Sequence, residues 1–160
     1  RNCCDNPQQT GIDRIVNAAA AVAIYGQDAI IIDLGTATTI DFVTADARFL
    51  GGAIAPGIGI AAEALFMRAP GLPKVALSCP DNILAKDTVS AMQAGIVFGY
   101  TCLVDGIVER IQQETDASAV VVATGGLSPV IAGCSKTIDM LDSHLTFKGL
   151  NLIFKRQARV

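Results

Sequence analysis

Residues 29–44 read Ala-Ile-Ile-Ile-Asp-Leu-Gly-Thr-Ala-Thr-Thr-Ile-Asp-Phe-Val-Thr. The β-branched run Ala29–Leu34 predicts a strand buried on both faces. Gly35-Thr36 predicts a turn, and the alternation over Thr38–Thr44 predicts a second strand. After a turn at Asp46-Ala47, Arg48–Ile54 predicts a third. Strands that follow one another this closely pair as antiparallel hairpins on one side of a sheet. Upstream, residues 1–10 are polar, carry Asn6-Pro7 and predict a loop. Gly11–Tyr25 predicts a helix, with Ile12, Ile15, Val16, Ala19 and Val22 at helical spacing and Gly26 closing it.

Downstream, Pro56-Gly57 opens a helix that ends near Arg68. Pro70-Gly71-Leu72-Pro73 breaks the chain, and a loop runs to about Lys86. A long helix follows over Asp87–Glu114; its Gly95 and Gly99 would let another backbone approach closely. Val120–Thr124 predicts a strand ending in Gly125-Gly126, Leu127–Ala132 a short helix, Lys136–Met140 an edge strand and Leu145–Phe154 a last helix. This later alternation of strand and helix predicts parallel strands on the other side of the sheet. The class is α/β, a mixed sheet flanked by helices, in a single domain over 1–160 with a helical insertion around 87–114.

The bulk properties narrow the function. Of 160 residues, 51% are hydrophobic and 17% charged, a balance that supports a large core. The net charge is −3 and no basic cluster tracks a phosphate backbone, so nucleic acid is not an expected partner. Lys155, Arg156 and Arg159 read as a solvated end. No apolar run approaches the roughly 20 residues that span a bilayer, and no membrane role is expected. The cysteines Cys3, Cys4, Cys79, Cys102 and Cys134 form no CxxC pair, and the expectation is free thiols in a reducing cytoplasm. His144 is the only histidine, which argues against a His-based metal site or triad. The chain opens on Arg1 without Met and without signal-peptide character, and is expected to begin within a longer protein.

Four motifs carry chemistry. In Asp33-Leu34-Gly35-Thr36-Ala37-Thr38-Thr39 a carboxylate ends a buried strand before a Gly-Thr turn whose N–H and hydroxyl groups suit a phosphate; the same pattern suits a plain hairpin lined with threonines. Gly11-Ile12-Asp13-Arg14 places a carboxylate and a guanidinium in a first helical turn, where Asp13 suits a proton acceptor and Arg14 an anion. A helix-opening Asp beside a solvated Arg gives the same letters. Gly51–Gly57 pairs glycines before a proline-opened helix, and Val122-Ala123-Thr124-Gly125-Gly126 runs a strand into a bare turn that suits a flat nucleoside. A structural turn accounts for the first equally well, and Gly-Gly alone is a weak signal against an ordinary strand-helix turn in the second.

The order of the pieces is more specific than any one of them. Asn6–Arg14 (NPxxxGxDR), Asp33–Asp41 (DxGTAxTxD), Gly51–Gly57 (GGxIxPG), Leu72-Pro73, Thr88, Thr124–Gly126 and Leu145–Leu150 (LxxxGL) resemble the type III pantothenate kinases over nearly the whole chain. The resemblance implies an actin-like, ribonuclease H-like ATPase domain and transfer of the ATP γ-phosphoryl to pantothenate, the first step of coenzyme A synthesis. It implies Asp13 as the general base and Gly11, Ile12, Asp13, Arg14 and Thr88 around pantothenate, with Thr88 acting across a dimer interface. Arg14 would pair with the substrate carboxylate or fix the shape of the site. Gly35 and Thr36 would meet the ATP phosphates, Gly125 and Gly126 the adenosine, and Asp33 a monovalent cation, potassium or ammonium, with Mg²⁺ arriving on ATP. A homodimer through the helix around Ala91–Arg110 is implied as well. The family's N-terminal phosphate-binding domain has no counterpart in this chain, which is therefore the acceptor-substrate half and is expected to be inactive alone. Cys4 stands where the family has Tyr, and Asp87 where it has Asn. The alternatives are another actin-like sugar kinase or phosphatase, and a non-catalytic accessory or binding protein.

Overall fold

The computed structural model describes residues 1–158. Its elements are α1 (Ile12–Tyr25), β1 (Ala29–Leu34), β2 (Ala37–Val43), β3 (Phe49–Pro56), α2 (Ile58–Arg68), α3 (Thr88–Thr115), β4 (Val120–Thr124), α4 (Ser128–Ala132), β5 (Met140–Leu141) and α5 (Leu145–Gln157). The strands form one sheet in the order β3-β2-β1-β4-β5. β1 pairs antiparallel with β2, and β2 with β3, whereas β4 runs parallel to both β1 and β5. This is the mixed, ribonuclease H-like sheet of the actin-like ATPases.

Period-two alternation splits the strands between two cores. Ile30, Ile32, Leu34, Ile40, Phe42, Val121 and Ala123 pack with Val97, Val104 and Val108 of α3 and Ile131 of α4. Ile31, Val43 and Val122 pack on the opposite face with Ala18, Ala20 and Ala21 of α1 and Leu145 of α5. The alanine run of α1 lets that helix lie close on the sheet. By length and composition α3 could cross a membrane. Its Val97, Val104 and Val108 are fully buried against the strands, so it is a core helix.

Several details differ from the sequence reading. The edge strand expected over Lys136–Met140 is only Met140–Leu141, because the segment before it is bound elsewhere. The Asp105 carboxylate on α3 accepts from the Ser135 hydroxyl (2.5 Å), the Thr137 hydroxyl (2.7 Å) and the Lys136 N–H (3.3 Å). The last helix extends to Gln157; Lys155 and Arg156 are exposed there, and Arg159 lies outside the described residues. Within residues 1–10, Asn2 bridges to Phe49 and extends the β3 edge. Gly95 and Gly99 face open space, since a Cβ added at either would meet nothing within 4 Å; no backbone among the described residues uses the approach they permit. Cys79 and Cys134 are joined in a disulfide, leaving Cys3, Cys4 and Cys102 free among the described residues. The expectation of five free thiols fails because the 69–87 loop folds back onto the end of α4. That brings two Cα atoms 55 positions apart to 6.6 Å, within disulfide reach.

Candidate functional site

The turns around Gly35, Gly57 and Gly125 converge at one end of the sheet, at the carboxyl ends of the parallel strands β1 and β4, where open α/β sheets commonly place ligands; Gly51 and Gly52 stand toward the other end, opposite Phe42 and Asp41 of β2. Asp33 stands opposite Thr124 of β4 and Thr39 of β2. The next residues, Gly35 and Thr36, form the exposed β1–β2 turn. Two other turns press on it. The Gly57 N–H donates to the Thr36 carbonyl at 3.0 Å, and a Cβ at Gly57 would lie 2.3 Å from that oxygen and 2.5 Å from the Gly35 oxygen. Gly125 has φ +93°, and a Cβ there would lie 2.7 Å from both Asp33 Oδ1 and the Leu34 backbone. A side chain at Gly125 would therefore meet both backbone strain and steric overlap.

On the α1 face of this turn lie the charged groups. Asp13 is exposed in the first turn of α1, and its Oδ1 accepts from the Arg14 N–H at 2.9 Å. A Cβ on Gly11 would meet that oxygen at 2.5 Å, so Gly11 leaves the carboxylate room over the helix start. Ile12 is 76% exposed, an apolar side chain beside the carboxylate. Arg14 points inward to Asp41 of β2. Its Nε lies 3.0 and 3.1 Å from the two carboxylate oxygens, and its Nη2 also bonds Oδ1. The guanidinium sits over the Phe49 ring, 5.4 Å from its centroid. The bonds to Asp41 raise the Arg14 pKa against the opposing effect of burial. Burial pushes the Asp41 carboxyl up, and the Arg14 bonds pull it back. Of the two roles expected for Arg14, this geometry supports shaping the site, because its fork is already engaged by Asp41.

Asp33 is half-buried on the same face. Its Oδ2 accepts from the buried Asn17 amide at 3.0 Å. Burial raises its pKa, the Asn17 bond opposes this, and the Asp13 charge adds to the rise. Asp33 Oδ1 takes no hydrogen bond among the described residues, and no buried side-chain oxygen is left without a partner there. Oδ1 is therefore open to an oxygen-seeking cation. No cluster of three or more His, Cys, Asp or Glu suited to a metal occurs among the described residues. A single carboxylate fits a cation that keeps its water or substrate oxygens rather than a closed protein cage.

On the other face of the turn a cleft of 730 Å³ is lined by Leu34, Gly35, Thr36, Phe66, Lys74 and Gly126, among others. The hairpin turn is thus shared: Asp33 lies to one side and the cleft to the other. A cleft of 230 Å³ between α1 and the N-terminal segment has no acidic lining residue and stands apart from the turn. Thr88 is exposed at the start of α3, and no hydrogen bond joins it to the α1 group. Asp87 caps that helix, accepting from the Ser90 N–H at 3.0 Å and the Ser90 hydroxyl at 2.7 Å, a use of Asp that the helix start itself explains. Cys4 is half-buried, its Sγ 3.6 Å from a Cβ placed on Gly51.

Three residues of this constellation carried no role in the sequence reading: Asn17, Asp41 and Thr146, whose hydroxyl donates to Asn17 Oδ1 at 2.7 Å. A signal existed for Asp41. It occupies a position of β2 that alternation turns toward a core, and a buried carboxylate requires a partner. Asn17 lies one turn beyond Asp13 on the same helical face.

A family profile described as type III pantothenate kinase matches residues 1–110. A type III pantothenate kinase of Syntrophus aciditrophicus (strain SB) is 53% identical over 96% of this chain and 61% of its own length. One from Geobacillus kaustophilus (strain HTA426) is 50% identical over 96% of this chain and 60% of its length. The chain thus spans about three fifths of the curated relatives it matches. Among solved structures, a protein described as a conserved Baf family transcriptional activator from Campylobacter jejuni aligns with TM-score 0.66 and 28% identity, over 96% of this chain and 67% of that one.

Proposed function

Because this chain belongs to the type III pantothenate kinase family, we propose that the full-length protein transfers the γ-phosphoryl group of ATP to the primary hydroxyl of pantothenate, and that this chain supplies the acceptor side. The observation that supports the reading is the seating of α1 against the end of β1: Asn17, one turn beyond Asp13, donates to Asp33 Oδ2 at 3.0 Å, which sets Asp13 and Asp33 on the same face beside the Gly35-Thr36 turn.

In this reading the pantothenate hydroxyl lies against the exposed Asp13 carboxylate. Its oxygen attacks the γ-phosphorus in line, the bond from that phosphorus to the β,γ-bridging oxygen breaks, ADP leaves, and the hydroxyl proton passes to Asp13. The Thr36 N–H and hydroxyl face the phosphates while the Gly35 N–H is held by the Ala37 carbonyl at 3.2 Å, and Gly126 lines the cleft that receives the adenosine. Asp33 Oδ1 would hold potassium or ammonium, and Mg²⁺ arrives on ATP; bound, these ions supply positive charge against the phosphates. Gly11 keeps room for the base, and Arg14, tied to Asp41, holds the start of α1 in place. Thr88 reaches pantothenate across a homodimer whose contact includes the open stripe of Gly95 and Gly99, and the location is cytoplasmic.

The test uses the full-length protein in a coupled ATPase assay with potassium and Mg²⁺. Pantothenate should stimulate ADP release, and Asp13→Asn should lower turnover by orders of magnitude while leaving pantothenate binding measurable by calorimetry. Stimulation by a sugar and not by pantothenate would replace this reading with a sugar kinase. Full activity in Asp13→Asn would remove the base.

A further inference from the structure

The Leu145–Leu150 segment has no place in the chemistry above, yet it touches the site through one side chain. Leu145 is fully buried in the α1 core. Gly149 seats α5 backbone to backbone on α1: a Cβ there would lie 2.4 Å from the Val16 carbonyl oxygen. Between them Thr146 donates to Asn17 Oδ1 at 2.7 Å, and Asn17 Nδ2 donates to Asp33 Oδ2 at 3.0 Å.

We propose that α5 is a positioning element of the site, in which Thr146 fixes the side-chain amide of Asn17 and Asn17 fixes the carboxylate of Asp33. An amide has a donor end and an acceptor end, and only the donor end is attracted to a carboxylate. Asn17 is 2% exposed, so solvent does little to choose between the two orientations. The Thr146 hydroxyl makes the choice by giving its proton to the oxygen end. With Oδ2 held by Asn17, the rotation of Asp33 is set and Oδ1 alone is presented to a ligand. The contact joins positions 129 apart in sequence, making the C-terminal helix an outer support of a group near the N-terminus. Such outer partners of a cation-binding carboxylate tune its affinity. The proposal rests on reading Asp33 as the cation-binding group; neither Asn17 nor Thr146 is assigned contact with substrate.

The test compares Thr146→Val and Thr146→Ser in the full-length protein. The Val variant keeps the shape and loses the donor, and the Ser variant restores it. Two readouts are taken: the potassium chloride concentration giving half-maximal turnover, and the Asp33 carboxylate orientation in crystal structures. Thr146→Val should raise the half-saturating potassium concentration by roughly ten- to hundredfold, rotate Asp33 away from Asn17, and change the pantothenate KM far less; Thr146→Ser should return both to the parent values. A folded Thr146→Val protein with an unmoved Asp33 and unchanged potassium dependence overturns the proposal. Should that variant fail to fold, Asn17→Leu, which keeps the volume and removes both bonds, is judged by the same criteria. If the parent protein turns over no pantothenate, the kinase reading falls, and the crystallographic comparison still decides whether Thr146 positions Asp33.

Discussion

Replacing Gly57 by Ala tests how tightly the Gly35-Thr36 turn is held. Gly57 has φ −65°, which alanine adopts freely, so backbone strain drops out and the effect is steric. The added methyl carbon would lie 2.3 Å from the Thr36 oxygen and 2.5 Å from the Gly35 oxygen. Both obstacles are main chain, so relief requires the hairpin turn or the start of α2 to shift by about 1 Å toward ordinary contact distances of about 3.5 Å. Overpacking of this kind costs about 1–3 kcal/mol, which for a domain of this size lowers Tm by about 2–12 °C. If the turn positions phosphate as proposed, a displacement of about 1 Å costs on the order of a hundredfold in rate. Differential scanning calorimetry and the coupled ATPase assay on the full-length protein read the two effects. Gly59→Ala, whose added methyl meets only a Leu127 side-chain carbon at 3.8 Å, is the stability control and should match or exceed the parent. If Gly57→Ala melts with Gly59→Ala and turns over at the parental rate, the turn is not clamped by these contacts.

Two further outcomes follow from the buried charges. Asp41→Asn leaves the Arg14 guanidinium without its anion; breaking such a pair costs about 3 kcal/mol or more, measured by urea unfolding, and an unchanged midpoint would mean Arg14 is solvated. At Asp105 burial pushes the carboxyl pKa up, but the hydroxyls of Ser135 and Thr137 and the Lys136 N–H together outweigh it, and the net shift is downward. A carboxyl with a depressed folded pKa contributes stability above its ordinary range and loses it as pH falls through the folded value. Asp105→Asn should therefore be less stable than the parent by about 2 kcal/mol at pH 7, with the gap closing as pH drops below about 4. A gap independent of pH would point to packing alone.

The sheet was legible because its strands announce themselves by composition. Ile30–Ile32 is β-branched and buried on both sides, and the short spacings from Leu34 to Phe49 leave room only for hairpins. The positions of Asp13 and Asp33 were legible too, each sitting at the boundary of an element that periodicity defines. What escaped depends on contacts between distant segments. Arg14 and Asp41 are 27 residues apart, and nothing local marks them as partners. Thr146 is one hydroxyl on a helix whose outward face mixes Phe147, Leu150 and Phe154 with charged residues, and nothing local singles it out. β5 is short because Ser135 and Thr137 are claimed by Asp105, a competition invisible to strand propensity. The disulfide needs the path of the 69–87 loop, which carries no periodic signal.

The pairing of Arg14 with Asp41 has a consequence for the order of events at the turn. A guanidinium whose charge is already spoken for lends no attraction to a visitor, and what remains outward is the repulsion of Asp13 and Asp33. In the proposed kinase reading an acidic guest would therefore meet an unfavourable field until positive charge had been brought in, so the ions and the nucleotide carrying them would set the conditions under which the acceptor settles.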